Sequence, residues 1–420
     1  MKYLIIGNCA AGTSAAEAIR SKDKTGDITI LSNESYPAYG RPLISYFLSG
    51  KVKPENMSYR DPSFYESRKI SVLLNACAQK IDIKAKSVIA DSGKKFDYDK
   101  LLIASGSVPF IPPIKNLANQ KNVFSFLSYG DAQKIKEVIN KDSKVIIAGG
   151  GLIGLKAAEG LFGKVRKITV VDLADRVMAS VLDKPAADII QNHIERNEIE
   201  FILNASITAV EGEQKVGRVV LSDSQELECD ILIIAVGVRP NISLAKEAGI
   251  KTNKAIIVDK YMQTSQKDIY AAGDCVESVD LISNEHKILA LWSNAVNQGE
   301  TAGLNMAGVK HEAPTSFAMN AISFFGMQLI SAGLICNTDY SYAFADSVAN
   351  ESKVRRLNIA DDRLLGFVLI NDFQRAGIYT DLINNNTKLS KLEYDIKSKD
   401  IGFNIYPRDI RKDKILGKKD

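Results

Sequence analysis

Cysteine and histidine are scarce in this sequence of 420 residues, and neither type is clustered. No two cysteines form a C-x-x-C pair, so the sequence predicts neither a metal cluster nor a disulfide framework and favours a reducing, cytoplasmic location. The histidines are equally scattered, and we expect no metal site. The residues concerned are Cys9, Cys77, Cys229, Cys275, Cys336, His193, His286 and His311.

Long hydrophobic runs are also missing. No uninterrupted apolar stretch approaches the roughly 20 residues that a membrane span needs. A strand pattern begins within two residues of Met1, which leaves no room for a signal peptide. With 45% hydrophobic and 25% charged residues, the composition is typical of a soluble globular protein. The length is too great for one core and suits two or three domains.

A strong charge of one sign is missing as well, since the formal net charge is +4. The excess is concentrated in a basic tail, residues 406–414 together with Lys418 and Lys419. Two interpretations stay open, a solvated chain end and a docking surface for an acidic partner protein. Aromatic residues do not interleave with the basic run, which disfavours nucleic acid as a partner.

Two glycine-rich turns are what the sequence does contain. Lys2–Ile6 reads as a strand and leads into GNCAAG (residues 7–12) and an alanine-rich helix. Lys144–Ala148 leads in the same way into GGGLIG (residues 149–154) and a helix expected over Leu155–Phe162. Each turn points backbone N–H groups and a helix N-terminus at one spot, which suits a pyrophosphate. An acidic residue follows each turn by roughly 20 residues, so the pattern predicts two dinucleotides, one of flavin and one of nicotinamide.

Strands and helices alternate around the first turn up to about Pro113. Ile28–Leu31 reads as its second strand and Leu101–Ala104 as a returning buried strand. Residues 72–81 and 87–90 read as an antiparallel insertion. Pro109, Pro112 and Pro113 then break the pattern, as a crossover between domains would.

The second turn is followed by a similar series. Ile168–Val171 reads as a strand, and the continuous apolar run Ile231–Ala235 is typical of a parallel strand buried on both faces. After residue 241 the chain is expected to return to the first domain, because Ile269–Asp274 is another strand-to-loop turn suited to the flavin.

From about Lys310 the pattern changes. Residues 355–359 and 365–370 flank Asp361-Asp362-Arg363, which predicts a β-hairpin, and a short helix is expected to begin at residues 380–384. This segment reads as a separate α+β domain. Dimer contact, a lid over the flavin and recognition of an electron-carrier protein all stay open as its role.

Five motifs occur in a fixed order: GNCAAG (7–12), YDKL with ASG (98–106), GGGLIG (149–154), VGVRPN (236–241) and YAAGD (270–274). On these motifs, residues 1–310 resemble the FAD-dependent pyridine nucleotide-disulfide oxidoreductase-like family. Within it, YPAYGRPLIS (36–45) is similar to the NADH:rubredoxin reductases and to the flavoprotein portion of NADH-dependent nitrite reductases. Met319-Asn320 and SAGL (331–334) are similar to the C-terminal domain of the rubredoxin reductases.

The resemblance implies an α/β fold with two Rossmann-like dinucleotide-binding domains, for FAD and NAD, plus a C-terminal α+β domain. We expect a discontinuous FAD-binding domain at residues 1–113 and 243–310. An NAD(P)H-binding domain is expected at residues 114–242, and an interface or acceptor domain at residues 311–420.

The resemblance also implies roles for single residues at the flavin. Gly7 and Gly12 let the backbone approach the FAD pyrophosphate, and Glu34 accepts hydrogen bonds from the adenosine ribose. Arg41 lies beside the phosphates or the ring, and Asp274 holds the ribityl chain or the diphosphate. Further cofactor contacts are expected from Cys9, Ala10, Ala11, Pro42, Ala78, Ala104, Ser105, Gly106, Gly237, Gly273 and Trp292.

For the nicotinamide dinucleotide, the resemblance implies Asp172 as the ribose acid. A carboxylate there repels a 2′-phosphate, so NADH is expected over NADPH, although Arg176 one helical turn on would soften the preference. The alternative for Glu34 and Asp172 is a solvated loop charge. The residues expected to bind the dinucleotide at the turn are Gly149, Gly151, Leu152, Ile153 and Gly154.

Two departures from the family pattern concern cysteine. Cys9 replaces the middle glycine of the first turn, and both a packing role and a redox role stay open. Tyr39–Ser49 contains no cysteine, whereas disulfide reductases, oxidases and peroxidases of the family carry theirs there. The resemblance then implies that electrons leave the flavin directly, to an acceptor or to a docked carrier.

A third departure concerns an ion pair. Many relatives pair a lysine after the R-P segment with a glutamate after the second turn, near the flavin N5. The corresponding positions here are Ser45 or Tyr46, and Lys156. Hydride transfer is then expected to depend on Lys156, with Glu159 as its partner because an unpaired shielded charge is costly, and with Pro42. The alternative is that Lys156 points to solvent.

These expectations combine into one leading function. The sequence predicts an FAD-containing reductase that takes hydride from NADH and passes electrons to a small iron protein, such as rubredoxin or ferredoxin, or to an iron–sulfur partner. A flavoprotein subunit of a larger redox complex and a nicotinamide-sensing flavoprotein are the alternatives. A homodimer is possible, and no nucleic-acid or membrane partner is expected.

Overall fold

The computed structural model describes residues 1–118, 120–335, 341–348, 351–398 and 401–416. Cys336, Lys418 and Lys419 lie outside the described residues. The chain folds into two compact units. The first unit comprises Met1–Ile111, Ser125–Glu137 and Gly237–Ser316, and the second comprises Pro112–Phe124, Val138–Val236 and Phe317–Asp420.

The first 111 residues of the chain contain eight described strands and three described α-helices. They are β1 (Lys2–Ile6), α1 (Ala10–Lys22), β2 (Asp27–Leu31), α2 (Ile44–Ser49), α3 (Phe64–Ser67), β3 (Ile70–Leu73), β4 (Ala78–Asp82), β5 (Ser87–Ala90), β6 (Lys95–Asp97), β7 (Lys100–Ile103) and β8 (Ser107–Pro109). Short 3-10 helices lie at Arg41–Leu43 and Pro54–Asn56.

Residues 112–316 continue the alternation. The elements are β9 (Val123–Ser125), α4 (Tyr129–Val138), β10 (Lys144–Ala148), α5 (Leu152–Leu161), β11 (Lys167–Val171), α6 (Lys184–Glu195), β12 (Ile199–Ile202), β13 (Ile207–Glu211), β14 (Arg218–Leu221), β15 (Glu226–Glu228), β16 (Ile231–Ile234), β17 (Val238–Pro240), α7 (Ser243–Glu247), β18 (Ile256–Ile257), β19 (Ile269–Ala271), β20 (Val276–Val279), β21 (His286–Lys287) and α8 (Trp292–Met306).

The remaining residues are mostly antiparallel strands. The elements are β22 (Met319–Phe324), β23 (Met327–Gly333), β24 (Tyr342–Val348), β25 (Glu351–Ala360), β26 (Arg363–Ile370), α9 (Ala376–Asn384) and α10 (Arg408–Leu416). Two 3-10 helices, Leu389–Lys391 and Phe403–Ile405, lie between the last two helices. None of the described helices is both long and apolar enough to cross a membrane.

The first unit is built on a five-stranded sheet in the order β19-β7-β1-β2-β3, in which every neighbouring pair is parallel. The strand at its centre, β1, is buried from Tyr3 to Ile6. Because the strands are parallel, their carboxyl ends meet at one edge, where an open α/β sheet binds its ligand. The sheet therefore gathers the loops after β1, β2, β7 and β19.

One strand prediction was wrong. Residues 72–81 read as part of an antiparallel insertion, but Val72 and Leu73 belong to β3, which pairs parallel with β2 through Ile30 and Val72. The antiparallel sheet begins at Ala78, in β4. The half-buried pattern of β3 is the same for either kind of pairing, so the sequence could not identify its partner strand.

Small residues bring α1 and α8 into close contact in the first unit. A Cβ atom at Gly299 would lie 2.2 Å from the carbonyl oxygen of Ala11, and one at Gly303 would lie 2.4 Å from that of Ala15. Only glycine fits at these two points. The contact covers α1, so its alanine-rich sequence is explained by packing.

The second unit contains a sheet in the order β12-β11-β10-β16-β9, and β16 is buried along its whole length. The prediction of a parallel strand buried on both faces at Ile231 is confirmed, since β16 pairs parallel with β10. Helix α5 begins three residues earlier than predicted, because Gly151 is its N-cap residue and Gly154 lies within its first turn.

The segment after Phe317 forms another sheet of this unit, in the order β22-β23-β26-β25-β24, with antiparallel neighbours throughout. The predicted hairpin is confirmed as β25 and β26. Helix α9 begins at Ala376, ahead of the predicted residue 380, and its Tyr379 ring packs on Phe367 of β26 at 5.5 Å. The predicted α+β character of this segment is thus confirmed.

Candidate cofactor-binding sites

The first glycine turn is shaped by two close backbone approaches. Gly7 has a φ of +115°, which favours glycine, and donates its N–H to the Leu31 carbonyl at 2.9 Å. A Cβ atom at Gly12 would lie 1.9 Å from the Gly7 carbonyl oxygen. The hydrogen bond ties the turn to the end of β2, and the missing side chain at Gly12 lets the first turn of α1 pass close to Gly7.

A buried polar atom indicates what this turn can hold. Cys9 is the N-cap residue of α1, and its side chain makes no capping hydrogen bond. Asn8 accepts from the Tyr65 hydroxyl at 2.8 Å, but its amide nitrogen is buried with no partner among the described residues. An unused donor beside an uncapped helix N-terminus fits an anionic group such as the FAD pyrophosphate.

The acid predicted for the ribose, Glu34, lies three residues after β2. Its Oε1 atom accepts from the Tyr39 hydroxyl at 3.1 Å and from Nη2 of Arg41 at 3.0 Å. Tyr39 also accepts a hydrogen bond from the Tyr129 N–H at 2.9 Å, and its burial raises the pKa of the phenol. Glu34 is therefore a held carboxylate, and the alternative of a solvated loop charge does not describe it.

Arg41 connects this acid to the glycine turn. Its side chain donates to the Leu127 carbonyl at 3.1 Å, and the Cys9 side chain is one of its electrostatic neighbours. Burial alone would lower the pKa of Arg41, but the neighbouring Tyr39, Cys9 and Glu34 raise it above its usual value. A permanent positive charge thus lies between the turn and Glu34, where the phosphates are expected.

The other predicted flavin residues follow β7 and β19. Ser105 donates to the Asn241 carbonyl at 2.7 Å, and Asp274 accepts from the Ser107 hydroxyl at 3.0 Å. Gly273 has a φ of +87° and donates its N–H to the side chain of Gln298 at 2.9 Å. The structure thus places Ala104, Ser105, Gly106, Gly273 and Asp274 at the edge where the first glycine turn lies.

Three predicted residues are more peripheral. Pro42 is exposed in the 3-10 helix after Gly40, and Ala78 opens β4 in the antiparallel sheet. Trp292 opens α8 and meets the Tyr59 ring edge to face at 4.8 Å. Their contacts with FAD stay predictions.

The second glycine turn repeats the geometry of the first. Gly149 has a φ of +112° and donates to the Val171 carbonyl at 2.8 Å. A Cβ atom at Gly154 would lie 1.9 Å from the Gly149 carbonyl oxygen, while the space around Gly151 is open. The open space at an uncapped N-terminus of α5 fits a second pyrophosphate.

Asp172 is fixed by this turn. It follows β11 directly and accepts from the backbone N–H groups of Gly150 at 2.5 Å and Ala174 at 2.8 Å. Arg176 is bound within its own loop, to Asp175 at 2.7 Å and to the Leu182 carbonyl at 3.2 Å. The residue expected to soften the preference for NADH therefore has partners of its own.

Lys156 and Glu159 form an ion pair on α5, and their side chains are only 12% and 11% exposed. The expected partnership is present, and Lys156 does not point to solvent. Lys156 also donates to the Ser323 carbonyl at 3.3 Å, and Glu159 accepts from the Phe325 N–H at 3.0 Å. A role in hydride transfer stays a prediction, because these partners of the ion pair belong to the end of β22 and the turn after it.

That turn has an unusual conformation. Phe325 has a φ of +48°, which side chains rarely adopt, and Gly326 follows at +86°. His193 of α6 bonds to the Phe325 carbonyl at 3.1 Å, and the Phe162 ring meets Phe325 edge to face at 5.3 Å. Side chains from two helices thus hold both polar groups of the Phe325 backbone.

The basic tail is partly neutralised within the second unit. Lys414 pairs with Asp381 at 2.7 Å, and Arg411 lies 3.6 Å from Glu393. Arg408 and Lys412 are exposed. The positive charge available to a partner is therefore smaller than the sequence indicates.

Several residues of these sites were missed in the sequence. Tyr39 and Tyr65 hold Glu34 and Asn8, and Ser107 and Gln298 bond to the loops after β7 and β19. Tyr65, Ser107 and Gln298 belong to no motif, and Tyr39 lies in the 36–45 motif with no predicted contact of its own, so only the fold brings their polar groups to these loops. Within the described ranges, no three His, Cys, Asp or Glu side chains group as metal ligands.

Known proteins share these features. Residues 1–299 match the pyridine nucleotide-disulphide oxidoreductase family, and residues 319–387 match the rubredoxin NAD+ reductase C-terminal domain. The rubredoxin-NAD(+) reductase of Pseudomonas putida is 32% identical over 383 residues, which is 90% of this chain and 97% of that protein.

Two further relatives differ in length. The nitrite reductase [NAD(P)H] of Bacillus subtilis is 30% identical over 93% of this chain, but the chain spans only 48% of that protein. A crystal structure of NADH:rubredoxin oxidoreductase from Clostridium acetobutylicum is 27% identical, with a TM-score of 0.76 over 95% of this chain and 98% of that one.

The family match covers more than two thirds of the chain, and both glycine turns have the geometry that a dinucleotide needs. The family uses FAD and NAD(P)H. This chain therefore belongs to the pyridine nucleotide-disulphide oxidoreductase family.

Proposed function

We propose that the protein oxidises NADH and passes the electrons from its flavin to a small iron protein of the rubredoxin or ferredoxin type. Flavin accepts a hydride from a nicotinamide and can release electrons one at a time, which suits a one-electron carrier. The named relatives that this chain nearly spans act on rubredoxin by their names, and residues 319–387 match a domain of such enzymes.

One observation carries the proposal. Residues 39–49 contain no cysteine. This segment includes Arg41, which donates to Glu34 beside the expected FAD site, so a cysteine relay to the flavin would be expected here. The buried thiols Cys229 and Cys275 have pKa values raised by burial, which keeps them protonated. Without a thiol relay, the flavin itself is the point at which electrons leave.

The residues around the two glycine turns support a division of roles. In the first unit, the turn at Gly7, with Arg41 and Glu34, would bind the pyrophosphate and the ribose of FAD. In the second unit, the turn at Gly149 would bind the pyrophosphate of the nicotinamide dinucleotide, and Asp172 its ribose. Asp172 favours NADH because a carboxylate repels the 2′-phosphate of NADPH, and Arg176 is engaged elsewhere.

The experiment is an acceptor panel in anaerobic stopped flow. The enzyme is reduced with one equivalent of NADH and mixed with rubredoxin, ferredoxin, glutathione disulfide, coenzyme A disulfide or a neutral dye. We expect fast reoxidation by at least one iron protein and by the dye, and slow reoxidation by both disulfides. Brisk disulfide reduction would contradict the proposal, and so would slow reduction of every iron protein.

A second function is favoured by one observation. The chain spans about half the length of the nitrite reductase to which it is similar, so the same architecture also occurs as part of a larger redox protein. A flavoprotein subunit of a complex would be reduced quickly by NADH but reoxidised slowly by every free carrier. Copurification of the chain from its native source, followed by reoxidation in the complex, distinguishes this case. A cytoplasmic location is part of both proposals.

A further inference from the structure

The Tyr39 hydroxyl lies at a junction in the first unit. It donates to Oε1 of Glu34 at 3.1 Å and accepts from the Tyr129 N–H, the first of α4, at 2.9 Å. The side chain is buried, with 6% exposure, and its ring centroid lies 5.7 Å from that of Tyr129. Burial raises the pKa of the phenol, so the hydroxyl keeps its proton and stays a donor at neutral pH.

The second donor reaches the same carboxylate oxygen. Arg41 donates from Nη2 to Oε1 at 3.0 Å, and within the described part of the chain Oε2 accepts no hydrogen bond. The Glu34 backbone is also fixed, because its carbonyl accepts from the Asn75 N–H at 3.1 Å and its N–H donates to Ser32 at 3.2 Å. The two bonds to Oε1 thus orient the carboxylate, and Oε2 remains available to accept hydrogen bonds.

A ribose diol needs such an oxygen. Two adjacent hydroxyl donors bind best to a carboxylate that is already ionised and oriented, because little rotamer entropy is then lost on binding. Arg41 alone would supply the charge, but one long side chain fixes the plane of the carboxylate poorly. The rigid, buried Tyr39 ring supplies the second fixed point.

We propose that Tyr39 is a positioning residue for the adenosine ribose of FAD, and that it acts by orienting the Glu34 carboxylate. The proposal rests on the binding of FAD to the first unit and is independent of the electron acceptor. Tyr39 bonds to the acid, so its effect is expected in FAD affinity and in the dependence of that affinity on the ribose hydroxyls.

The test measures FAD binding to apoprotein by flavin fluorescence quenching. Tyr39→Phe keeps the ring and removes the hydroxyl. We expect the Kd for FAD to rise about tenfold, the equivalent of about 1.4 kcal/mol. The Kd for an FAD analogue whose adenosine lacks the 2′- and 3′-hydroxyls is expected to change by less than about twofold.

Two controls separate positioning from packing. Tyr36→Phe removes a hydroxyl that bonds to Gln133 in the same aromatic cluster, and it should leave the Kd for FAD unchanged. In a Glu34→Ala background, Tyr39→Phe should add no further loss of affinity. Equal weakening of FAD and of the analogue by Tyr39→Phe would show a packing effect and overturn the proposal, as would an unchanged Kd for FAD or additive effects with Glu34→Ala.

Discussion

The two units share matching hydrogen bonds at the start of the strand that leads into each glycine turn. They differ in how the acid after the next strand, Glu34 or Asp172, is bound. In the first unit the Lys2 N–H donates to Asp99 at 2.7 Å, and in the second the Lys144 N–H donates to Asp230 at the same distance. In both units a Cβ atom at the last glycine of the turn would lie 1.9 Å from a carbonyl oxygen of the first. The backbone frame of a pyrophosphate site is therefore built twice.

The acids show where the units diverge. Glu34 lies three residues after its strand and is bound by side chains, those of Tyr39 and Arg41. Asp172 follows its strand directly and is bound by the backbone of its own turn. A site held by side chains can be tuned by substitution, whereas one held by backbone is fixed once the turn has formed. On the proposed roles of these acids, ribose recognition would be adjustable in the first unit and built into the fold in the second.

The largest expected effect is the loss of one dinucleotide site while the other site is kept. Gly12→Ala and Gly154→Ala each place a methyl group against a backbone carbonyl that cannot move without displacing its turn. We expect Gly12→Ala to yield protein that does not retain FAD. Gly154→Ala should remain yellow but should no longer be reduced by NADH in stopped flow.

The control for these variants is Gly377→Ala. That glycine lies in α9 with open space around it, so the substitution should change neither FAD retention nor reduction by NADH. A Gly12→Ala protein with normal FAD affinity would show that the first turn is not the FAD site. Loss of FAD from Gly154→Ala would show that the two turns are not independent.

The second prediction concerns the backbone-held acid. Asp172→Ala removes a charge-assisted acceptor worth about 1.5–3 kcal/mol, so the dissociation constant for NADH should rise roughly tenfold to a hundredfold. Adding Leu173→Arg, at a side chain that is 71% exposed, should improve NADPH binding. Stopped-flow reduction at varied NADH and NADPH gives both constants. A wild-type preference for NADPH would refute the assignment of Asp172.

The third prediction concerns Asp268, an acid of the first unit that is bound by two lysines. Asp268 accepts from Lys86 at 2.8 Å and from Lys100 at 2.6 Å, and these bonds lower its pKa from 3.8 to about 2. The stabilisation is present above pH 3.8 and is lost as the pH falls towards 2. Asp268→Asn should therefore lower the free energy of unfolding by about 1–2 kcal/mol at pH 7 and have little effect near pH 2.

Urea unfolding, monitored through the release of flavin at several pH values, measures this difference in the free energy of unfolding. Asp97→Asn is the control, because its Lys95 partner is 3.7 Å away and both side chains are exposed. A destabilisation by Asp268→Asn that persisted unchanged at low pH would mean that the ion pairs are not its cause.

The smallest expected effect compares surface charge on the two units. Arg408→Ser with Lys412→Ser removes the exposed tail charges, and Lys24→Ser with Lys254→Ser removes an equal charge from exposed positions of the first unit. At low salt the tail variant should slow reduction of an acidic carrier by about twofold to tenfold, and high salt should abolish the difference. Both variants should keep wild-type flavin reduction by NADH. An equal slowing by the two pairs would indicate net charge alone.

These point substitutions are preferable to removal of the chain after Tyr406. Lys414 and Arg411 bind acids within the second unit, so truncation would remove internal ion pairs together with the exposed charge.

Motifs and hydrophobic runs were sufficient to predict the central strands and glycine turns of both units. The runs at β1, β10 and β16 are apolar enough to be buried strands, and the glycines that follow β1 and β10 make close backbone approaches that no other residue permits. Both acids could also be found, because they follow a strand end. The strand partner of β3 could not, since pairing depends on the whole sheet. The contacts that hold the Phe325 turn could not be predicted either, because they join α5, α6 and β22. We call this set of Lys156, Glu159, His193 and the Ser323–Phe325 backbone the Phe325 clamp.

The clamp also limits how this sequence can change. A glutamate at position 156, as the resemblance gives for many relatives, would stand three residues from Glu159 on a helix face that is largely shielded from water. Two carboxylates there would repel each other and compete for the Phe325 N–H. Lys156→Glu in one step would therefore be destabilising unless position 159 changed first. The two positions are thus coupled through a single hairpin turn, and a change at one is tolerated only with a matching change at the other.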